Sequence, residues 1–447
     1  MSLDPATREA ASGRIASGRL ASLVPRDEGS VWRGADTFAV VTVWFLFLVQ
    51  QLAVSLSRPK EFVPITEGGY DVPGWAGAVT TATNAGVLLL AVVLGLRWLR
   101  RGTSWDGWVL LLVALAPWVV VVARLVVLDR TPGPTALVYP AVVLAVWCAR
   151  PRLTVAEVVG HLTVATAGVS VLLGILAPTA GVYARAAGAE LEKPIGPFGV
   201  LAGVMLSGND LGLVLAIGAA SVWTIRRAVV RWAGLVLVLV AVVWSASRTA
   251  LLALAVVALL ALALRLVRTS CRPGPFGRDL AAVLAGAALA VLGLVMVLAP
   301  LLVRVPTALN NRGRLWAFAI ERFGEDPLLG AGADVFKVIA TTGQNLGGHA
   351  THAHNLAAQV LVSGGVLLVV ALGALLVLAA LRAVRHSANG WDWPVLFLAG
   401  FLVLAALEVP LVMTDRLRQY PYVLVPLLVV LLAQPSAARS SSSSAAE

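Results

Sequence analysis

TALLALAVVALLALALRLV, residues 249–267, carries a single charge, Arg265, near its end. An apolar run of this length crosses the roughly 30 Å of hydrocarbon in a bilayer as one helix, because only intrahelical hydrogen bonds satisfy the backbone there. Runs of the same kind recur on both sides of it. They fall near residues 37–56, 76–98, 107–128, 134–149, 155–177, 199–223, 229–246, 279–302, 355–382, 393–413 and 419–433. With 59% hydrophobic and 13% charged residues, the chain departs from the soluble norm of about a quarter charged. The expected fold is all-α: a polytopic integral membrane protein of about twelve transmembrane helices, with a large extracytoplasmic loop between helices 9 and 10.

Basic residues test this count. The net charge is +11, but the cations form short clusters between apolar runs, which is a topology signal and speaks against a nucleic-acid partner. Arg97/Arg100/Arg101, Arg150/Arg152, Arg226/Arg227/Arg231, Arg265/Arg268/Arg272/Arg278 and Arg382/Arg385 occupy alternate connections, which the positive-inside rule assigns to the cytoplasm together with both termini. The intervening connections are poorer in basic residues or balanced by acids, as in Arg58, Lys60, Glu61, Glu67 and Asp71. Cys148 and Cys271 then fall near the cytoplasmic side, where disulfides are rare. Residues 1–35 lack the apolar core of a cleavable signal and read as a cytoplasmic tail. The repeated ASGR at 11–14 and 16–19 suits either a basic surface helix or a disordered segment. Residues 36–434 form the transmembrane domain, and 435–447, with the tract Ser440 to Ser444, read as a disordered tail.

Two connections on the outer side are long, about 178–198 and 303–354, and long loops in a compact chain are usually functional. In the larger one, residues 315–322 have helical spacing, with Leu315, Phe318 and Ala319 on one face, before Gly324, Pro327, Gly330 and Gly332 impose turns. His349, His352 and His354 close the loop, and histidine can take or give a proton near neutral pH. Asn355 precedes an apolar run and suits a helix N-cap, which sets His354 at an anion-favouring helix start. Three readings of the histidines stay open: a proton-transfer site, a solvated loop, or one metal ion shared by His349, His352 and His354. The last has no acidic or Cys partner nearby in sequence.

Arg248, at the junction of two apolar segments, is kept there by water, by snorkelling or by an anion. A guanidinium fork matches paired phosphate oxygens, so it is a candidate diphosphate ligand. Arg312 reads equally as a surface charge or a ligand, and Arg124 as a snorkelling residue. Asn209 either lines a lipid or glycan path or bonds across helices. Glu408, Asp415, Arg416 and Arg418 pair among themselves or serve an outward-facing site. Gly364 and Gly365 read as close helix packing, and His161 as a hydrogen-bonded interior residue.

Together SASRTALLAL at 245–254, GRLWAFAIERFGEDPLLGAG at 313–332, HAHNLAAQVLVSGGV at 352–366, and the shorter GPFG at 196 and GNDLG at 208 resemble the O-antigen ligase and polymerase superfamily of bacterial membrane glycosyltransferases. The resemblance covers roughly residues 195–375. It implies transfer, at the outer face of the plasma (inner) membrane, of a glycan from an undecaprenyl-diphosphate carrier to an acceptor hydroxyl on a cell-surface glycan or glycolipid. Such transfer inverts the anomeric centre and needs no cofactor or metal; membrane lipid is the remaining partner. By position the resemblance assigns Arg248 and Arg314 to the leaving diphosphate, and His354 as general base or diphosphate ligand. It adds Arg312, His352, Asn355, Trp316, Arg185 and Asn209 as substrate-binding candidates. A polymerase of the same superfamily would differ only in taking a second lipid-linked repeat as acceptor. A transporter or flippase is the rival from another class, although no repeat relates the two halves and the polar residues gather at one edge.

Overall fold

The computed structural model describes residues 34–57, 60, 73–99, 105–183, 199–270, 275–303, 305–341, 352–414 and 417–433. Of the expected tails only residues 34 and 35 fall within this set, and Arg185 and His349 lie outside it. Each of the twelve apolar runs contains a helix. In chain order these are α1 (Ala35–Leu56), α2 (Gly74–Leu99), α3 (Trp105–Val127), α4 (Val138–Ala149), α5 (Val155–Leu176), α6 (Gly208–Val222), α7 (Ala228–Trp244), α8 (Arg248–Ser270) and α9 (Pro275–Leu302). The large connection contributes α10 (Ala308–Glu325) and α11 (Val335–Thr341), and α12 (Leu356–Ala388), α13 (Trp393–Leu407) and α14 (Leu424–Leu432) follow. The protein is a polytopic membrane protein: seven helices, α1, α2, α3, α5, α8, α9 and α12, are long and apolar enough to span a bilayer, and α6, α7 and α13 are shorter apolar helices.

Burial sorts these helices. All of α13 from Trp393 to Ala406 is buried, as is α6 from Leu211 to Val222. By contrast α2 shows Leu89, Val92 and Leu96, α8 shows Leu259 and Leu262, and α9 shows Val291 and Leu294. A helix apolar all round belongs at the centre, and one with an exposed apolar stripe faces lipid. The short helices α6 and α13 are therefore the core, and the longer helices, with α7, surround them. Fifteen residues of α6 or α13 reach only about 23 Å. Non-helical backbone completes their paths, which a membrane protein tolerates where protein encloses it.

This explains where expected boundaries shift. The run at 199–223 starts with a two-residue strand, Val200–Leu201, paired antiparallel with Val182–Tyr183, and α6 begins only after Ser207, whose side chain caps Asp210 N. Pro410 ends the run at 393–413 early, and the last run opens with a 3-10 turn at Leu417–Gln419.

One end of the bundle carries the large connection. The opposite end gathers the arginine clusters and is closed by the ion pairs Arg152–Asp36 (2.9 Å), Arg226–Glu157 (3.1 Å) and Arg268–Asp392 (2.6 Å). The last of these clamps α8 to α13. Arg248 lies twenty residues, about 30 Å, before Arg268 along α8, and Glu408 sixteen residues, about 24 Å, beyond Asp392 along α13. Both therefore sit at the loop end.

The large connection is tied down twice. Arg124 of α3, read from sequence as snorkelling, instead pairs with Asp326 at 2.9 Å, and Arg130 pairs with Asp334. The second tie is made of backbone. α12 is broken at Gly365 (φ 58, ψ −156), and the freed groups bond to the Pro327–Ala331 turn. Val366 N donates to Pro327 O at 2.9 Å, and Ala331 N to Val362 O at 2.7 Å. A Cβ at Gly365 would meet the Leu328 carbonyl at 2.5 Å, and one at Gly330 would meet Val362 O at 2.6 Å. The two glycines are what let the chains approach, so Gly365 serves a helix break against the loop turn where the sequence suggests close packing of helices.

Candidate functional site

Glu408 is the centre of the polar cluster at the loop end. It is the residue after α13, 5% exposed, and its two oxygens face different partners. Oε1 accepts from Arg312 at 2.7 Å. Oε2 lies 2.8 Å from His354 Nδ1 and 3.7 Å from His352 Nε2. The two imidazoles stack with centroids 3.9 Å apart. Burial pushes the Glu408 carboxyl up, but the His354 charge, hydrogen bonds from both histidines and the Arg312 charge outweigh it and hold the group well below the ordinary carboxylate range. Of the pairings open in sequence, Glu408 takes partners 96 and 54 residues away rather than the neighbouring Arg418.

The local sequence fixes His354 from both sides. His354 has φ 50, a left-handed conformation that costs a non-glycine residue about 1–2 kcal/mol. Ala353 before it is fully buried, its N–H donating to Gln359 Oε1 at 2.9 Å and its carbonyl accepting from Trp316 Nε1 at 2.9 Å. Gln359 is itself held by Ser363 Oγ at 2.9 Å. Asn355 after it is the N-cap of α12, with Oδ1 accepting from Ala358 N at 2.8 Å. Its Nδ2 donates to Met296 O at 2.9 Å and to Ala406 O at 3.0 Å. Those two carbonyls lack helical donors for one reason: the residues four positions on are Pro300 and Pro410, which have no N–H. One amide therefore joins α9, α12 and α13 beneath the histidines.

These contacts separate the candidates. His352, His354 and Arg312 converge on Glu408. Trp316 and Asn355 are 0% exposed with their polar atoms engaged by protein, so both brace the site from behind and neither offers a free face to a ligand. Arg312 follows three residues in left-handed backbone, Leu309, Asn310 and Asn311, so regular helix begins with it, later than the first residue of α10. Arg314 is half-buried on α10, and among the described residues its side chain has no hydrogen-bonding or ionic partner. Asn209 is half-buried in the first turn of α6, beside Asp210, which accepts from Gln419 Nε2 at 2.9 Å. Arg248 opens α8 against that turn, since Gly212 of α6 abuts Ser247. Neither Arg248 nor Asn209 is among the side chains bonded to Glu408.

The arrangement is a histidine whose Nδ1 is engaged by a buried carboxylate, leaving Nε2 for chemistry, with cations on α8 and α10 at the same end. The family model described as O-Antigen ligase matches residues 233–373. Over this segment, which is less than half of the chain, the sequence is similar to the O-antigen ligase family. The match runs from α7 into α12 and takes in Arg248, Arg312, Arg314, Trp316, His352, His354 and Asn355. Asn209 and Glu408 fall outside it. A comparison with curated proteins finds no match. That similarity points to a membrane glycosyltransferase of ligase or polymerase type.

Glu408 is the component that the sequence marked least clearly. Its available signal was an acid at the end of an otherwise uncharged run, which is costly unless paired. The sequence offered no indication of which partner it takes.

Proposed function

We propose that the chain is an outer-face glycan ligase. It moves a glycan from undecaprenyl diphosphate to an acceptor hydroxyl on a cell-surface glycan or glycolipid, with inversion and without a metal in the reaction. The observation that carries this reading is the His354 Nδ1 to Glu408 Oε2 contact of 2.8 Å. A neutral imidazole that donates Nδ1–H to a buried carboxylate presents Nε2 as an acceptor, the form a general base requires. The acceptor oxygen attacks the anomeric carbon, its proton passes to His354 Nε2, and the bond from the anomeric carbon to the phosphate oxygen breaks. The leaving undecaprenyl diphosphate takes the electron pair. Arg314 and Arg248 neutralise it, and the half-buried guanidinium of Arg314, unpartnered among the described residues, supports that role. Glu408 stabilises the imidazolium formed on His354, and Arg312 keeps that carboxylate ionised.

The test uses purified chain with lipid-linked glycan, with and without candidate acceptors. Transfer to the acceptor, lost in His354→Ala and Arg314→Ala while folding is retained and lipid-linked glycan accumulates, is the expected result. Chain growth from lipid-linked glycan alone would assign the polymerase activity instead. Unchanged product in both variants would remove the roles given to those side chains.

A further inference from the structure

The same three groups can serve a second purpose. His352 and His354 flank the buried Ala353, and their imidazoles lie against each other with centroids 3.9 Å apart. One ring nitrogen each from His352 and His354 and a Glu408 carboxylate oxygen all lie within 4.8 Å of one another. A tetrahedral ion with bonds of roughly 2.0–2.2 Å needs ligand atoms about 3.3 Å apart. The observed 2.8 Å and 3.7 Å from the Glu408 oxygen to the two imidazole nitrogens bracket that value, so these two edges of the site close with shifts of about half an ångström.

We propose that His352, His354 and Glu408 form an exchangeable binding site for a divalent transition-metal ion of the Zn2+ class. Two imidazoles and one carboxylate suit Zn2+, Co2+ or Cu2+ and disfavour Mg2+ and Ca2+, which take oxygen-only shells. Arg312 already performs the supporting role that ligating carboxylates need, holding Glu408 Oε1 at 2.7 Å while Oε2 faces the ion. Its positive charge also weakens the site, and three protein ligands leave a fourth position for water, so the ion exchanges rather than staying as a structural fixture. On entry the ion displaces the proton shared by His354 Nδ1 and Glu408 Oε2, which leaves to water. Sequence alone argued against a metal here because no acid lies near the histidines; the fold supplies one from the end of α13.

Occupation would take His354 out of proton transfer. That consequence rests on the proposed function, whereas the site itself does not. The experiment titrates the purified full chain with ZnCl2 by calorimetry and with CoCl2 by visible absorption, in the absence of any glycan. One ion per chain with a tetrahedral cobalt spectrum is expected, weakened at least tenfold in His352→Ala and in Glu408→Gln, and unaffected by millimolar Mg2+. His352→Cys keeps a ligand atom and should retain binding, which guards against variants that merely misfold; His386→Ala should change nothing. No bound ion, or equal affinity in the His352→Ala/His354→Ala double variant, would overturn the proposal. A chain that binds Zn2+ through these residues yet transfers no glycan once the metal has been stripped by chelator would leave the site standing and remove the ligase reading.

Discussion

Replacing Asn355 by Ala tests whether one amide compensates for two prolines. The substitution removes the α12 cap, worth about 1 kcal/mol, and strips Met296 O and Ala406 O of their donors, at about 1–3 kcal/mol for each carbonyl left buried. The expected loss is about 3–4 kcal/mol, since such terms overlap. The decisive measurement repeats the substitution in a Pro300→Ala background. There the introduced alanine has an N–H to give Met296 O, so one of the two orphaned carbonyls is satisfied within α9, and the cost of Asn355→Ala should fall by about 1 kcal/mol, within the usual range for residues sharing a partner. Fourteen tryptophans make unfolding in a detergent titration readable by fluorescence. A coupling of that size is about a fivefold change in the folded-to-unfolded ratio. Equal losses in the two backgrounds would refute the idea that Asn355 is there to serve the proline gaps.

Gly365→Ala should cost at least about 3 kcal/mol and expose the 327–331 turn to protease, because φ 58 with ψ −156 is open essentially to glycine and the new Cβ meets Leu328 and Pro327 backbone at 2.5 Å. Gly373→Ala, with nothing within 4 Å, is the matched control and should be neutral or slightly stabilising. Arg124→Ala removes the Asp326 tie, whose acid is part-exposed, so a loss of about 1 kcal/mol or less is expected, growing when Arg130 is also replaced and shrinking in high salt. Because the Glu408 pKa in the folded chain is depressed, its contribution to stability is fully present above the ordinary value of 4.5 and is lost as pH falls through the lower folded value. The stability difference between the parent chain and Glu408→Gln, read by unfolding at a series of pH values, should therefore still be present at about pH 5 and narrow only in stronger acid.

Much of the bundle is legible from composition, since lipid demands long apolar runs and each run identified that way contains a helix. The N-cap at Asn355 and the helical face of Leu315, Phe318 and Ala319 are legible for local reasons: both depend on residues within a turn or two. What the sequence hides is pairing across distance. Glu408 meets His354 only because α12 and α13 run in opposite directions, and Arg312 reaches it only after three left-handed residues turn the chain. The short cores of α6 and α13 are equally hidden, because a run of apolar residues looks the same whether it is helix or buried extended chain. Asn355 and Trp316, which the resemblance offers as substrate ligands, are fully buried with their polar atoms bonded to protein, a placement that only the fold reveals.

The break in α12 also determines how the candidate site is mounted in the bilayer. Thirty-three residues of continuous helix would extend about 50 Å, well beyond the hydrocarbon thickness. Division at Gly365 leaves the inner portion, residues 366–388, at about 34 Å to do the crossing, while residues 356–364 form a short stub fastened to the loop turn. Tilting of the crossing portion, the usual response to a thinner or thicker bilayer, then pivots at the glycine and leaves the stub with its histidines in register with Glu408. Activity in bilayers of short- and long-chain lipid should accordingly differ little, since the span works as a compliant suspension beneath a rigid head.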